Sequence, residues 1–424
     1  MAKNKKAARR TNKNSKRAEL KTGPPLHCIS VGSGSVTFVV LALAIILALF
    51  TLSRNSIFES GLKVWSDVHA KSPLKYRASN NLGKANEAAG NLERSEELYL
   101  KAIRLKPDHA LTHYNLGNVY YSSNRLELAK RSFLKATQLD PALVNAYVNL
   151  GLTFADLGSK AEAKKYYEQA LTLKPSHSGA LYNMGVLLGE EGGGEAAMRS
   201  YELSAKDPGN ASARVKLANM LVNEGKASEA LPYYREALRI EPDNHEFHFN
   251  YGTALSSLGR SKEAEAELLR ALDIKADYAE ALNNLGVIYK KEGRKEKARE
   301  SFLRSVNSDP KFVDARVNLG LSYYGAGELE KARTELTKAL TLDGENAYTR
   351  LNLGAVHKSM GNFTEAEKEF REAIRIKPSL VEAHFNLGLT YLSLNDKANA
   401  RKYLESGLKL RHDPNIEKLL LELR

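Results

Sequence analysis

The sequence predicts an all-α chain, a solenoid of about ten helix–turn–helix repeats with one transmembrane helix ahead of it. Two observations predict this: a set of landmarks that recurs at one fixed interval, and a single uncharged apolar run that precedes the first copy. In Ala110 to Leu143, Asn115-Leu116-Gly117 is followed by Tyr120, Ala129, Phe133, Ala136 and Pro141. Asn-Leu-Gly or a near variant returns at Asn81, Asn149, Asn183, Asn250, Asn284, Asn318, Asn352 and Asn386, each 34 residues from the last except for a 33-residue step from Asn183 to Lys216.

The landmarks have a physical reading. Small residues such as Gly117, Ala129 and Ala136 belong where two antiparallel helices approach closely, because a larger side chain there would overpack. Leu116, Tyr120 and Phe133 fill the space between them. One helix pair cannot bury its own apolar face, so each repeat must stack on the next, and stability accumulates through nearest-neighbour interfaces. With these offsets and this period, the chain resembles the tetratricopeptide-repeat (TPR) family over residues 76–412, as ten tandem copies. The resemblance implies a right-handed superhelix with a long concave groove.

Ahead of the repeats, residues 1–34 hold almost no apolar side chains and cannot bury enough surface to fold. The formal charge is +13, but residues 1–22 carry nine Lys/Arg against one acid, leaving 13 − 8 = +5 on the remaining 402 residues. The excess therefore belongs to a tail and does not mark a nucleic-acid-binding face. Val36 to Leu52 is a 17-residue run without a charge, and with its flanks, residues 35–53, it reaches the lower end of bilayer-spanning length. The run is longer than a signal-peptide core, and Leu49-Phe50-Thr51 lacks the small-residue cleavage pattern, so an uncleaved anchor is expected. Basic residues cluster before it, which predicts a cytoplasmic N-terminus and extracytoplasmic repeats; a bacterial inner membrane with periplasmic repeats is the preferred setting.

Residues 54–75 read as half a repeat, with Gly61, Trp65, Val68 and Pro73 on the landmark positions of a lone second helix. Arg54-Asn55, Trp65, Ser72-Pro73 and Asn81-Leu82-Gly83 also resemble the junction into the TPR tails of membrane O-mannosyltransferase-type proteins, whose catalytic membrane helices this chain lacks. At the other end, residues 413–424 place Ile416, Leu419, Leu420 and Leu423 on one helical stripe, as an end cap requires. Departures from the pattern fall at Lys216-Leu217-Ala218, at the Gly-rich fourth copy that closes one residue early at Pro208, and at Ala276 and Gly344 in place of the closing proline. Irregular superhelix pitch is expected around residues 190–217.

Chemistry-bearing patterns are sparse. No phosphate loop, zinc-protease, nucleophile-elbow or dinucleotide fingerprint is present, so no catalytic residue, cofactor or metal is expected. His245 and His248 sit one turn apart with no third ligand evident nearby. His113, His248 and His384 share one repeat position, which repeat drift explains. The single cysteine, Cys28, excludes an intramolecular disulfide.

The recurring polar feature is the row Asn81, Asn115, Asn149, Asn183, Asn250, Asn284, Asn318, Asn352 and Asn386. Asn is a mediocre mid-helix residue, so its recurrence needs a benefit. An amide offers one donor group and one acceptor, matching the backbone of an extended peptide. The row resembles the asparagine ladder of the TPR region of O-linked N-acetylglucosamine transferase, which implies a peptide-binding groove. The alternative is that these side chains bond the neighbouring repeat. A two-carboxylate clamp for chaperone tails is not expected, because Arg77, Asn81 and Asn115 are followed by Asn145 and Asn149 where cations are needed.

The functional expectation is a non-enzymatic, membrane-anchored scaffold that binds extended segments of partner proteins outside the cytoplasm. An accessory subunit presenting acceptors to a membrane glycosyltransferase and a cytosol-facing receptor are the alternatives.

Overall fold

A computed structural model of the chain describes residues 60–423. These residues form 22 helices, and no strand occurs among them. They fall into two compact units, one ending at Asp108 and one beginning at His109.

Among the described residues the first unit holds three helices, Gly61–Lys71, Tyr76–Ala88 and Leu92–Leu105. Ser60 starts the first of them by accepting a hydrogen bond from the backbone N–H of Lys63 at 3.2 Å, the capping role for which serine is preferred. The pair that follows is closed by Tyr99, fully buried beneath Gly83, and by Ser95, whose hydroxyl donates to the Gly83 carbonyl at 2.8 Å.

The second unit is nine further helix pairs and a terminal helix. In each pair a first helix, here helix A, is followed by a helix B; the seventh repeat of the chain consists of Ala279–Lys291 and Lys295–Ser308. The reason for the Asn-Leu-Gly glycine is visible there. A Cβ on Gly286 would lie 2.5 Å from the Phe302 ring, closer than real contacts allow, while Ala298 and Phe302 are buried between the helices. The turn between the helices also follows from sequence. Gly293 takes φ +74°, which ends helix A by placing the Arg294 N–H 2.8 Å from the Tyr289 carbonyl, a Schellman closure that needs a left-handed residue. Where glycine is missing at this position, Asn124 and Asn395 adopt φ 55° and 58°.

Packing runs from repeat to repeat. One apolar cluster extends without interruption from Ala197 to Leu319, through helices of five consecutive repeats. The fourth repeat departs from the others. Its helix B, Gly194–Ser204, has 11 residues where the other B helices have 14. The extra loop is stitched by polar groups: Asn210 Nδ2 donates to Ser178 Oγ at 2.7 Å and Ser204 Oγ at 2.9 Å. The last helix, Pro414–Glu422, is capped by Asp413, which accepts from the Asn415 and Ile416 N–H groups. It lays Ile416, Leu419, Leu420 and Leu423 against Phe385 and Leu404.

The expected localisation requires correction. No helix among the described residues is long and apolar enough to cross a membrane, and none exceeds 14 residues. The transmembrane segment expected at 35–53, the tail at 1–34 and the start of the juxtamembrane stretch lie outside the described residues. A single-pass membrane protein is therefore not supported.

Candidate functional site

Each of the nine ladder asparagines sits on a helix A and is half-buried. Their hydrogen bonds divide them. Asn149 Nδ2 donates to Asn118 Oδ1 of the preceding helix A at 2.8 Å, and reaches Tyr114 at 3.4 Å. Asn284 Nδ2 donates to Thr253 Oγ1 at 3.1 Å, and Asn318 Nδ2 to Asn283 Oδ1 at 3.0 Å. These three amides tie consecutive A helices together, and each uses only its donor side. Asn386 donates within its own helix, to the Glu382 carbonyl at 2.9 Å. Asn81, in the first unit, accepts from Asn80 at 3.2 Å. No side-chain hydrogen bond to Asn183, Asn250 or Asn352 occurs among the described residues. The row is thus partly stitching and partly unengaged amide, all on helix A, and the A helices of repeats two and three, six and seven, and seven and eight touch directly through it.

The other expected candidates do not assemble into a chemical centre. No group of three or more His, Cys, Asp or Glu able to hold a metal ion occurs among the described residues. His248 is committed elsewhere: Nδ1 lies 2.7 Å from Glu267 and Nε2 lies 2.9 Å from the Pro242 carbonyl. Asn145 accepts from His177 Nε2 at 2.9 Å; because His177 Nδ1 accepts from the Ala180 N–H at 3.2 Å, this imidazole is neutral, and burial and the nearby Lys174 push its pKa down.

The shared position of His113, His248 and His384 has a structural cause that sequence drift does not describe. In five repeats the side chain there bonds the backbone carbonyl of the closing turn. His248 and His384 Nε2 face the Pro242 and Pro378 carbonyls, both at 2.9 Å. Arg316 Nε donates to Pro310 O at 2.8 Å and Arg350 Nε to Gly344 O at 3.2 Å. Buried Arg214 donates Nη1 to Asp207 O at 2.8 Å and Asn210 O at 2.9 Å. A carboxylate from helix B completes four of these, Glu236 at 3.1 Å, Glu267 at 2.7 Å, Glu335 at 2.7 Å and Glu369 at 2.8 Å. Treating His and Arg as one class of donor would have revealed the pattern from sequence.

The repeats of the second unit also leave an open cleft of about 830 Å³ at the irregular fourth repeat, lined by Lys174, His177, Leu203, Lys206, Asn210 and Glu241 among others. It lies between the turn that leads into the fourth repeat and the loop after its shortened helix B.

Models of the tetratricopeptide repeat match residues 144–177, 279–312, 313–346 and 381–413, 221–281 and 182–245, and a TPR-repeat model matches 83–124, 117–158 and 358–395. The chain belongs to the tetratricopeptide-repeat family. No curated protein matches it. Among solved structures, YrrB, described as a TPR protein with an unusual peptide-binding site, aligns over 45% of this chain and 97% of its own at 20% identity, with a TM-score of 0.41. MamA aligns over 39% of this chain and 91% of its own at 26% identity, TM-score 0.37. The APC/C hetero-tetramer Cut9–Hcn1 aligns over 88% of this chain and 94% of its own at 13% identity, TM-score 0.46. The family assignment rests on the repeat models, and these partial overlaps add nothing to it. As a tetratricopeptide-repeat protein the chain presents A helices in series in its second unit, with the ladder asparagines from Asn115 to Asn386 along them.

Proposed function

We propose that this tetratricopeptide-repeat chain is a protein-binding scaffold whose helix-A face holds extended segments of partner polypeptides through the asparagine row. The observation that carries the reading is the division within that row. Asn183, Asn250 and Asn352 are half-buried amides with no side-chain hydrogen bond among the described residues. Asn149, Asn284 and Asn318 spend only Nδ2 on the preceding repeat. Each therefore keeps a carbonyl oxygen for an incoming N–H, and the three unengaged amides offer both functions of a peptide-backbone match.

The division also supplies the test. Peptides are selected on the wild-type chain from a random twelve-residue library, and their binding is then measured on two triple variants alongside thermal melting. Asn183→Ala, Asn250→Ala and Asn352→Ala together should weaken binding severalfold and leave melting unchanged or slightly raised, since Ala is the better helix former. Asn149→Ala, Asn284→Ala and Asn318→Ala should in addition melt earlier, by about 1 kcal/mol for each lost inter-repeat bond. Undiminished binding by both folded variants overturns the asparagine reading.

A further inference from the structure

The helix-A face changes character between the fifth and sixth repeats. Four residues before the ladder position, repeats two to five carry Leu111, Asn145, Gly179 and Ser212, whereas repeats six to eight carry Glu246, Glu280 and Asp314. All three carboxylates are exposed, and none joins an ion pair or side-chain hydrogen bond among the described residues. Their counterpart in the tenth repeat, Glu382, is neutralised by Arg411 at 2.7 Å.

Beside the first two of these carboxylates lies a half-buried aromatic cluster. The Tyr278 ring sits 5.0 Å from Phe249 and 5.2 Å from His245, the latter edge-on. Lys275 holds its ammonium 4.9 Å from the Tyr278 ring centroid, so this ring already accepts a cation on its face. Burial pushes the Tyr278 hydroxyl up to about 12, and the negative charges of Glu280 and Glu246 add to the shift.

The spacing of the row sets the register of what it can hold. Asn284 bonds Thr253 and Asn318 bonds Asn283, so helices A of repeats six, seven and eight touch in series. Packed helices lie about 8–10 Å apart, and three residues of chain extended in the polyproline-II form, which returns a side chain to the same face at every third residue, span about 9 Å. One extended segment can therefore offer a side chain to each successive carboxylate.

Resting on the scaffold reading above, we infer that the helix-A face of repeats six to eight takes an extended basic polypeptide with Lys or Arg at about every third residue, its cations meeting Glu246, Glu280 and Asp314 and the aromatic cluster of His245, Phe249 and Tyr278. The competing account of the carboxylates is local: an acid in the first turn of a helix stabilises the helix dipole. That account leaves binding untouched by their loss.

The test uses the full chain and three labelled twelve-residue probes in an Ala/Ser background, followed by fluorescence anisotropy: one with Lys at every third position, one with the same lysines contiguous, and one with Gln in their place. Three exposed ion pairs acting together predict that the spaced-lysine probe binds about tenfold tighter than the Gln probe, and tighter than the contiguous one, with the margin shrinking as salt is raised. Glu246→Gln, Glu280→Gln and Asp314→Asn together should reduce the spaced probe to the level of the Gln probe, while Lys275→Gln, which frees the ring, should tighten it. Equal binding of the spaced and Gln probes, or unchanged binding of the spaced probe by the charge variant, overturns the inference, including when that variant only melts earlier. Library-selected neutral peptides separate this from the scaffold reading: if they still bind when charge has no effect, only the basic specificity fails, and if no peptide of any charge binds, both fail.

Discussion

At the scale of single residues, the aromatic position of helix A shows how the core accepts exceptions. Tyr120, Tyr289 and Tyr391 occupy it as buried rings in their repeats, and Tyr323 packs there as well. In the ninth repeat the position is His357, whose Nδ1 is buried with no hydrogen-bond partner. Burial lowers the His357 pKa below its ordinary 6.5, because the charged ring is penalised in the folded state. The sign follows from proton binding: the unfolded chain takes up the proton first as pH falls, so stability is lost on acidification from neutral pH through 6.5 and stops falling below the folded pKa. His357→Tyr, restoring the residue used in sister repeats, removes this loss. The melting-temperature gap between the variant and wild type should therefore widen from pH 7.5 to pH 5.5. A gap that stays constant across that range would show that the imidazole does not titrate against folding.

At the scale of elements, the helix pairs follow from short-range chemistry. A left-handed glycine or asparagine stops helix A, a glycine admits the large helix-B side chain, aromatic or leucine, and alanines let the helices close. The small-residue contacts were legible because each landmark has one local cause that repeats at 34-residue spacing; the left-handed stop was not singled out, because it alternates between Gly and Asn. The closing turn was legible only in part. Its proline suggested itself as the structural requirement, yet Ala276 and Gly344 replace it without moving the next helix, which begins three residues later at Ala279 and Ala347. In five repeats the structure shows the turn carbonyl itself to be held, by a His or Arg side chain that sequence reading passed over because the position alternates between the two types. Similarly, one-residue arithmetic located the irregular fourth repeat, but the network of Ser178, Ser204, Asn210 and Arg214 that closes it depends on residues brought together only by folding. Arg350→Leu provides the check on the turn, leaving Gly344 O and the mostly buried Glu369 without their partner. It should cost about 1–3 kcal/mol, read by denaturant unfolding, whereas Gly344→Pro should cost far less. Equal costs for the two substitutions would return the turn's stability to its backbone conformation.

At the scale of the whole molecule, function depends on stacking. No single repeat offers more than one ladder position, so a face able to hold a length of polypeptide exists only where repeats are bound in series. The asparagine row was legible as a row from sequence; which of its members bond the neighbouring repeat and which remain unengaged was not, since that depends on the residues that Thr253, Asn118 and Asn283 present across the interface. The central claim is that stability passes from neighbour to neighbour along this series. Gly286→Leu tests it most directly, because the added side chain must displace the Phe302 ring, a Cβ alone already falling 2.5 Å from it, at a cost of roughly 1–3 kcal/mol. Hydrogen exchange measured across the full chain should show protection lost first in the seventh repeat, then in the sixth and eighth, with repeats two and ten unaffected at the same denaturant concentration. Loss of protection at one common rate throughout the second unit would contradict the claim.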